Sequence, residues 1–416
     1  MEDIKYAEGS LVGKVYKAGI TFGFTLAIPT AEVAEYGLLI EHDGLNQANV
    51  DAMNRLAKEG CAPYCVCVGV YPGVLRFADG EARNMRMNSY DLFDSEYGDF
   101  LVHELIPYVE ETFGIRFSKD PDLHYVSGGS SGGISAFAAA WFHPNYFHRV
   151  YMSSPSFLAM GRGNEIPYLI RKCETKPLRI YEEYSENEPD DYFGASYPID
   201  VEMKMALEFA GYDFAWEYFP GEWHCSRYRD EEAAYKRNKW IWQDYTTKKI
   251  MPPRNSPRLQ RILPADDEWE AVETFPEKEI ISFRGYSSAV KSADGTLYYA
   301  AHRDEDIVYA HVAEGEAGAS PFVQAMLHTL PRVEPKGAID MAVDSTDRLY
   351  VLTAMGIQCV RGFGLIDGIL DLPQGEPLEI AVADGLYVKT RLGTFRRALQ
   401  PECLHSKERK FSSYYD

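Results

Sequence analysis

The chain has 416 residues, 46% of them hydrophobic, which is enough for two or three domains with a sizeable core. Its net charge of −21 argues against nucleic acid or an anionic membrane surface as a partner and otherwise serves solubility. No apolar run reaches the roughly 18–20 residues of a transmembrane helix, and the start, MEDIKYAEGS, carries neither a basic region nor an apolar one of a secretory leader, so a cytoplasmic location is expected unless a leader has been removed.

Residues 10–30 alternate in the manner of an opening antiparallel hairpin. The run Gly37 to Ile40, ending in Glu41-His42-Asp43-Gly44, reads as a buried strand that reaches the carboxyl edge of a sheet. Asn49 to Gly60 has helical periodicity, and Tyr64 to Val70 is a second buried strand. Cys65 and Cys67 fall within that strand and, with Cys61, lack a second ligand pair at metal spacing; reduced core thiols are expected. A polar segment, Arg83 to Asp91, precedes an amphipathic helix running through Phe100, Leu101, Leu105, Ile106 and Val109.

The most informative stretch is Ser127 to Phe137, SGGSSGGISAF. It lies between a β-like run, Leu123–Val126, and a helix-forming run from Ile134 to Trp141. Strand, glycine turn with serine, then helix is the setting of a nucleophile elbow, in which small residues let the helix pack close behind a strained serine. Gly128-Gly129-Ser130-Ser131-Gly132 fits G-x-S-x-G with Ser130 as nucleophile; the frame one residue later nominates Ser131. A glycine-rich anion-binding turn is the plainer alternative. Ser130 is preferred, because Gly132 and Gly133 then stand where the helix backbone must approach the strand.

Further strands are expected at Arg149–Ser153, Leu178–Tyr181 and Phe214–Phe219, with helices at Asp200–Gly211 and Glu231–Tyr245. Alternating strands and helices over some 250 residues predict a doubly wound α/β sheet of the hydrolase type. In that fold the order is serine, acid, histidine. His224, after the last strand, stands where the base belongs, whereas His143 and His148 follow the elbow helix too soon. The acid is sought in the stretch after Leu178–Tyr181, Glu182 to Asp191, which holds six carboxylates and a choice that charge alone does not make. The oxyanion hole needs two backbone N–H groups. Ser131, the residue after the serine, and Leu45, beside Gly44, are expected to supply them.

Four prolines at 252, 253, 257 and 264 mark a linker, giving domains 1–250 and 265–416 joined through 251–264. The second domain shows eleven short strands and no helix up to Leu399. The phrases SADGTLYYA, DSTDRLYVL and VADGLYVKT recur at the spacing of propeller blades and predict about three of them, with Ile280–Phe283 as the outer strand of the last sheet.

Asp43-Gly44, Arg86…Tyr90-Asp91, GGSSGGISAF and AGYDFAWEYFPGEWH resemble the enterochelin esterase/esterase D-like group of α/β hydrolases over most of residues 10–250. The resemblance implies hydrolysis of carboxylic esters (siderophore, feruloyl, acetyl or small thioesters) without metal or organic cofactor, with Ser130 as nucleophile and His224 as base. The family's acid turn corresponds to Ser185-Glu186-Asn187-Glu188, where a glutamate replaces the aspartate, so the acid stays open between Glu188 and Asp190. Trp223 replaces a glycine before the histidine and is expected to narrow the acyl pocket; Asp43 and Arg86, or Arg83, are candidates for contact with substrate.

The C-terminal part resembles the end of a gluconolactonase-type propeller. Ser287 and Ile339 occupy the ligand positions of that family's divalent metal, Ile339 cannot ligate a hard cation, and Asp340 is the nearest substitute. A structural, homodimerising or glycan-contacting role is therefore expected for this domain. The leading expectation is a serine carboxylesterase acting on a small-molecule or oligosaccharide ester. The alternatives are a catalytically silent binding or assembly protein and a metal-dependent lactonase in the C-terminal domain.

Overall fold

The computed structural model describes residues 3–158, 163–191, 194–252, 255–265, 267–279, 281, 288–312, 320–362 and 364–405. The chain divides into two compact units, Met1–Tyr168 with Lys176–Pro253, and Leu169–Thr175 with Arg254–Asp416.

The first unit is built on a ten-stranded sheet. Its strands are β1 (Ile4–Val12), β2 (Ile20–Pro29), β3 (Gly37–His42), β4 (Cys65–Val70), β5 (Val74–Arg76), β6 (Ala82–Asn84), β7 (His124–Gly129), β8 (Arg149–Ser153) and β9 (Arg179–Asn187). A two-stranded ribbon, β10 (Asp190–Asp191) with β11 (Gly194–Ala195), stands apart, and β12 (Asp213–Trp223) completes the large sheet. The order is β12-β9-β8-β7-β3-β4-β2-β5-β6, with β1 on β2. From β12 to β4 all neighbours are parallel, and β2 then pairs antiparallel with β4. This is the α/β-hydrolase arrangement. Strands β3, β4, β7 and β8 are buried along their whole length, as expected of a sheet covered on both faces.

The expected long helix before the elbow is interrupted. Glu96–Phe100 is α-helical, Leu101–Leu105 is π-helical and Ile106–Phe113 is α-helical again. Pro107 has no N–H to offer the His103 carbonyl, so the chain widens by one residue there. Two expected strands are also longer in the structure. β9 continues to Asn187 and β12 to Trp223, so most of what reads as an acid-rich loop is strand. All seven cysteines are free thiols, with Cys65 and Cys67 buried in β4.

The second unit contains three four-stranded antiparallel sheets. The first two run in chain order through Ser288–Lys291, Thr296–Ala300, Ile307–Val312 and Phe322–Met326, then Asp340–Val343, Leu349–Thr353, Gly356–Val360 and Ile366–Leu370. The third consists of Pro377–Val382, Leu386–Thr390 and Gly393–Arg397, closed by Glu270–Val272. The outer strand is therefore supplied ten residues earlier than expected; Ile280–Phe283, apart from Ile281, lies outside the described residues. Tyr350, Leu352, Ile357, Ile380 and Val388 pack with Leu259 and Ile262 in its core. The first strands of the three sheets meet at Asp340, which accepts the Ser288 hydroxyl at 3.3 Å and the Ile380 N–H at 2.9 Å. Its carboxylate also takes a hydrogen bond from the Lys278 ammonium, so a fixed side-chain cation already neutralises the expected substitute metal ligand. Ile339 is buried in the core, and Ser287 lies outside the described residues.

Candidate active site

Ser130 sits between β7 and the elbow helix, Ser131–Phe142, with φ 58° and ψ −127°. A non-glycine residue in this region is strained and is held only by its surroundings. Its N–H donates to the Ser153 carbonyl at 2.9 Å, and its own carbonyl accepts Gly133 N–H at 2.9 Å and Ser156 N–H at 3.3 Å. The two glycines of the motif are needed by contact as well: a Cβ on Gly128 would lie 2.2 Å from the Gly132 carbonyl oxygen. Ser131, the other candidate, has ordinary helical geometry and is buried as the first residue of the helix. The strained residue at the turn is Ser130.

His224 directly follows β12, and Glu188 directly follows β9. The two strands are parallel, and a bulge between Phe219 and Trp223 brings Trp223 opposite Asn187. The next residue on each strand is then His224 and Glu188, and their side chains meet: His224 Nδ1 and Glu188 Oε2 form a short hydrogen bond. The Glu188 side chain is 3% exposed, and its other oxygen accepts the Ser185 N–H at 3.3 Å. Asp190 is exposed, and among the described residues it makes no hydrogen bond to His224. Burial opposes charge on His224, but the Cys225 thiol and the Glu188 carboxylate outweigh it and raise the imidazole well above its ordinary 6.5. Ser130 Oγ is hydrogen-bonded to Ser156 Oγ at 3.0 Å rather than to His224.

The backbone N–H groups of Ser131 and Leu45 carry no hydrogen bond within the described residues. Leu45 is delivered by Asp43 and Gly44, at φ 65° and 93°, whose turn folds over β4. A Cβ on Gly69 would stand 2.2 Å from Leu45 N, so glycine there is what admits the turn.

The sequence profile of the family described as Putative esterase matches residues 20–274. The chain belongs to this family. No curated protein matches the sequence. Among solved structures, a ferulic acid esterase is similar at 16% identity and TM-score 0.45, over 58% of this chain and 99% of its own. The enterobactin esterase FES from Shigella flexneri is similar at 17% identity and TM-score 0.43, over 58% of this chain and 60% of its own. The siderophore hydrolase EstB from Aspergillus nidulans gives 16% identity and TM-score 0.43, over 59% and 97%.

In this esterase-family chain Asp43 and Arg86 bind one another. Arg86 Nε and Nη2 donate to the two Asp43 oxygens at 2.8 and 2.7 Å, a bidentate pair in which each side chain is 30% exposed. Trp223 is 71% exposed beside His224. Tyr71 lies against Gly44, and Met87 adjoins Arg86; both are exposed.

Sequence reasoning gave no role to three residues. Ser156 holds the Ser130 hydroxyl. Asp91 is fully buried near Ser131 and Arg86; burial pushes its carboxyl up to about 6, against the pull of the Ser131 hydroxyl and the Arg86 guanidinium. Cys225, at φ 55°, donates its N–H to Ser154 Oγ at 3.1 Å and its thiol to the Ser153 carbonyl at 3.3 Å. The serine cluster at 153–156 and the adjacency of Cys225 to His224 were visible in the chain, but nothing in their spacing marks them as partners.

Proposed function

We propose that this esterase-family protein is a serine carboxylesterase with Ser130 as nucleophile, His224 as general base and Glu188 as the acid that orients it. The observation that carries the reading is the strained Ser130 on a strand–helix turn, followed by a Ser131 N–H that makes no hydrogen bond among the described residues. Ser130 Oγ leaves Ser156, gives its proton to His224 Nε2 and attacks the ester carbonyl. The N–H groups of Ser131 and Leu45 hold the oxyanion. Glu188 stabilises the imidazolium, which returns the proton to the departing alcohol, and water then releases the acid from the acyl-enzyme. The Arg86–Asp43 pair steadies the turn that delivers Leu45. The exposed Trp223 and Tyr71, adjoining the base and the oxyanion turn, suit an aromatic acyl group of the feruloyl or dihydroxybenzoyl kind. The all-β unit, domain 265–416 of the sequence reading, is given a non-catalytic role, structural, homodimerising or glycan-contacting.

Acetyl, butyryl and feruloyl esters offered to wild type and Ser130→Ala test the reading. Wild-type turnover is expected to favour the aromatic ester and to fall at least about 10³-fold in the variant. Absence of turnover on every ester, with no fluorophosphonate adduct at Ser130, would favour the silent reading, in which the hydrogen bond to Ser156 is the permanent state of the serine.

A further inference from the structure

The far end of the elbow helix carries a group of side chains that ester hydrolysis does not use. Asp99, His103 and His143 present one ligand atom each, all within 4.8 Å of one another. Asp99 Oδ1 stands 3.8 Å from His103 Nε2 and 3.6 Å from His143 Nε2. A tetrahedral ion with bonds of about 2.1 Å separates its ligands by about 3.4 Å, a spacing that the two Asp99 distances approach.

The surroundings favour metal over a chance cluster. His143 Nε2 is buried and, among the described residues, accepts no hydrogen bond. The ring fits because residue 98 is glycine: a Cβ there would lie 2.8 Å from Nε2. His103 lies four residues after Asp99, within the π-helical segment, so the two side chains share a face. The site also lies at the C-terminal end of the helix, where the backbone dipole favours positive charge.

We infer that Asp99, His103 and His143 form a binding site for a first-row divalent cation of the zinc class, clamping the π-helical segment to the C-terminus of the elbow helix. Two imidazoles and one carboxylate match the donor preference of such ions, with water completing the shell. The elbow helix has twelve residues, so the cation would stand about 18 Å from Ser130 and take no part in acyl transfer.

The full-length protein would be titrated with Zn²⁺ against a chromophoric chelator and with Co²⁺ by visible absorption, in wild type, Asp99→Asn and His103→Ala. His103 is more than half exposed, so its removal leaves the fold intact. The expected result is one equivalent bound, a rise in Tm, a tetrahedral Co²⁺ band, and at least about tenfold weaker binding in either variant. Ester hydrolysis by His103→Ala should match wild type. Failure of both ions to bind would overturn the proposal. So would binding that is unchanged in the two variants and inhibits hydrolysis, which would place the cation at His224, Cys225 and Glu188.

Discussion

Ser130 and Cys225 are tied to one oxygen atom: the Ser153 carbonyl accepts the Ser130 N–H at 2.9 Å and the Cys225 thiol at 3.3 Å. The nucleophile turn and the histidine loop, 95 residues apart in the chain, thus share an anchor on β8. Cys225 also lies against Gly129, where a Cβ would be 3.1 Å from its sulfur. The residue beside His224 therefore spaces the proposed base from the proposed nucleophile.

Loss of that tether should misplace the imidazole without touching the chemistry. Cys225→Ala is expected to lower kcat about tenfold with little change in KM, since small displacements of a catalytic group are costly. Cys225→Ser should recover most of the loss, because a hydroxyl can still donate to Ser153. Steady-state kinetics on one ester decide between them; equal activity in all three proteins would remove the spacer role.

The pH dependence follows from the Glu188 contact. Only neutral His224 can accept the Ser130 proton, and its pKa is raised above 6.5 by Cys225 and Glu188 against burial. Activity should therefore rise with pH along a limb on the alkaline side of 6.5. Glu188→Gln removes the anion, so the limb should move to lower pH while the plateau falls by about 10²-fold or more. A kcat/KM profile of both proteins measures this, and Asp190→Asn serves as the comparison expected to leave it unchanged.

Gly69→Ala addresses the oxyanion turn. The new methyl group would collide with Leu45 N, 2.2 Å away, and push that donor out of place. Losing one oxyanion donor is worth about 10²–10³ in kcat. The variant should keep its fold by circular dichroism and lose activity mainly in kcat.

Stability should carry a separate signature from β9. Glu182 is fully buried, neither of its oxygens has a hydrogen-bond partner among the described residues, and burial pushes its carboxyl from 4.5 to about 8 against the attraction of Lys204. Asp200, also buried and raised by burial and by Glu182 and Glu188, cannot help it ionise. A raised folded pKa means that the folded state holds the proton more tightly than the unfolded chain does. The stabilisation is complete below about pH 4.5 and is lost as pH rises through about 8. Urea unfolding of Glu182→Gln should match wild type near the acid end and exceed it above about pH 8.

Much of the architecture was legible because burial imposes a period. The runs at 37–42, 65–70 and 149–153 have largely apolar centres and are buried on both faces, as central strands are, and the G-x-S-x-G turn announced the elbow through its glycines. The interruption at Leu101–Leu105 was not legible, since its apolar spacing is still helical and only the missing N–H of Pro107 widens the turn. The closing strand Glu270–Val272 was hidden for a different reason: three exposed or half-buried residues carry no alternation, and their partner, Gly393–Arg397, lies more than a hundred residues away.

By itself the sequence determined the fold class, the order serine, acid, histidine, and the candidates Ser130 and His224. It left Glu188 and Asp190 equal, because two carboxylates two residues apart have the same local chemistry. The tertiary structure brings one of them, Glu188, to His224 through strand pairing, and that contact is what favours it as the proposed acid. β9 runs on to Asn187, the bulge in β12 sets Trp223 opposite it, and the next residue on each strand brings Glu188 against His224, while Asp190 faces solvent. Register between strands is a property of two distant segments and their packing, so neither segment alone could carry that choice.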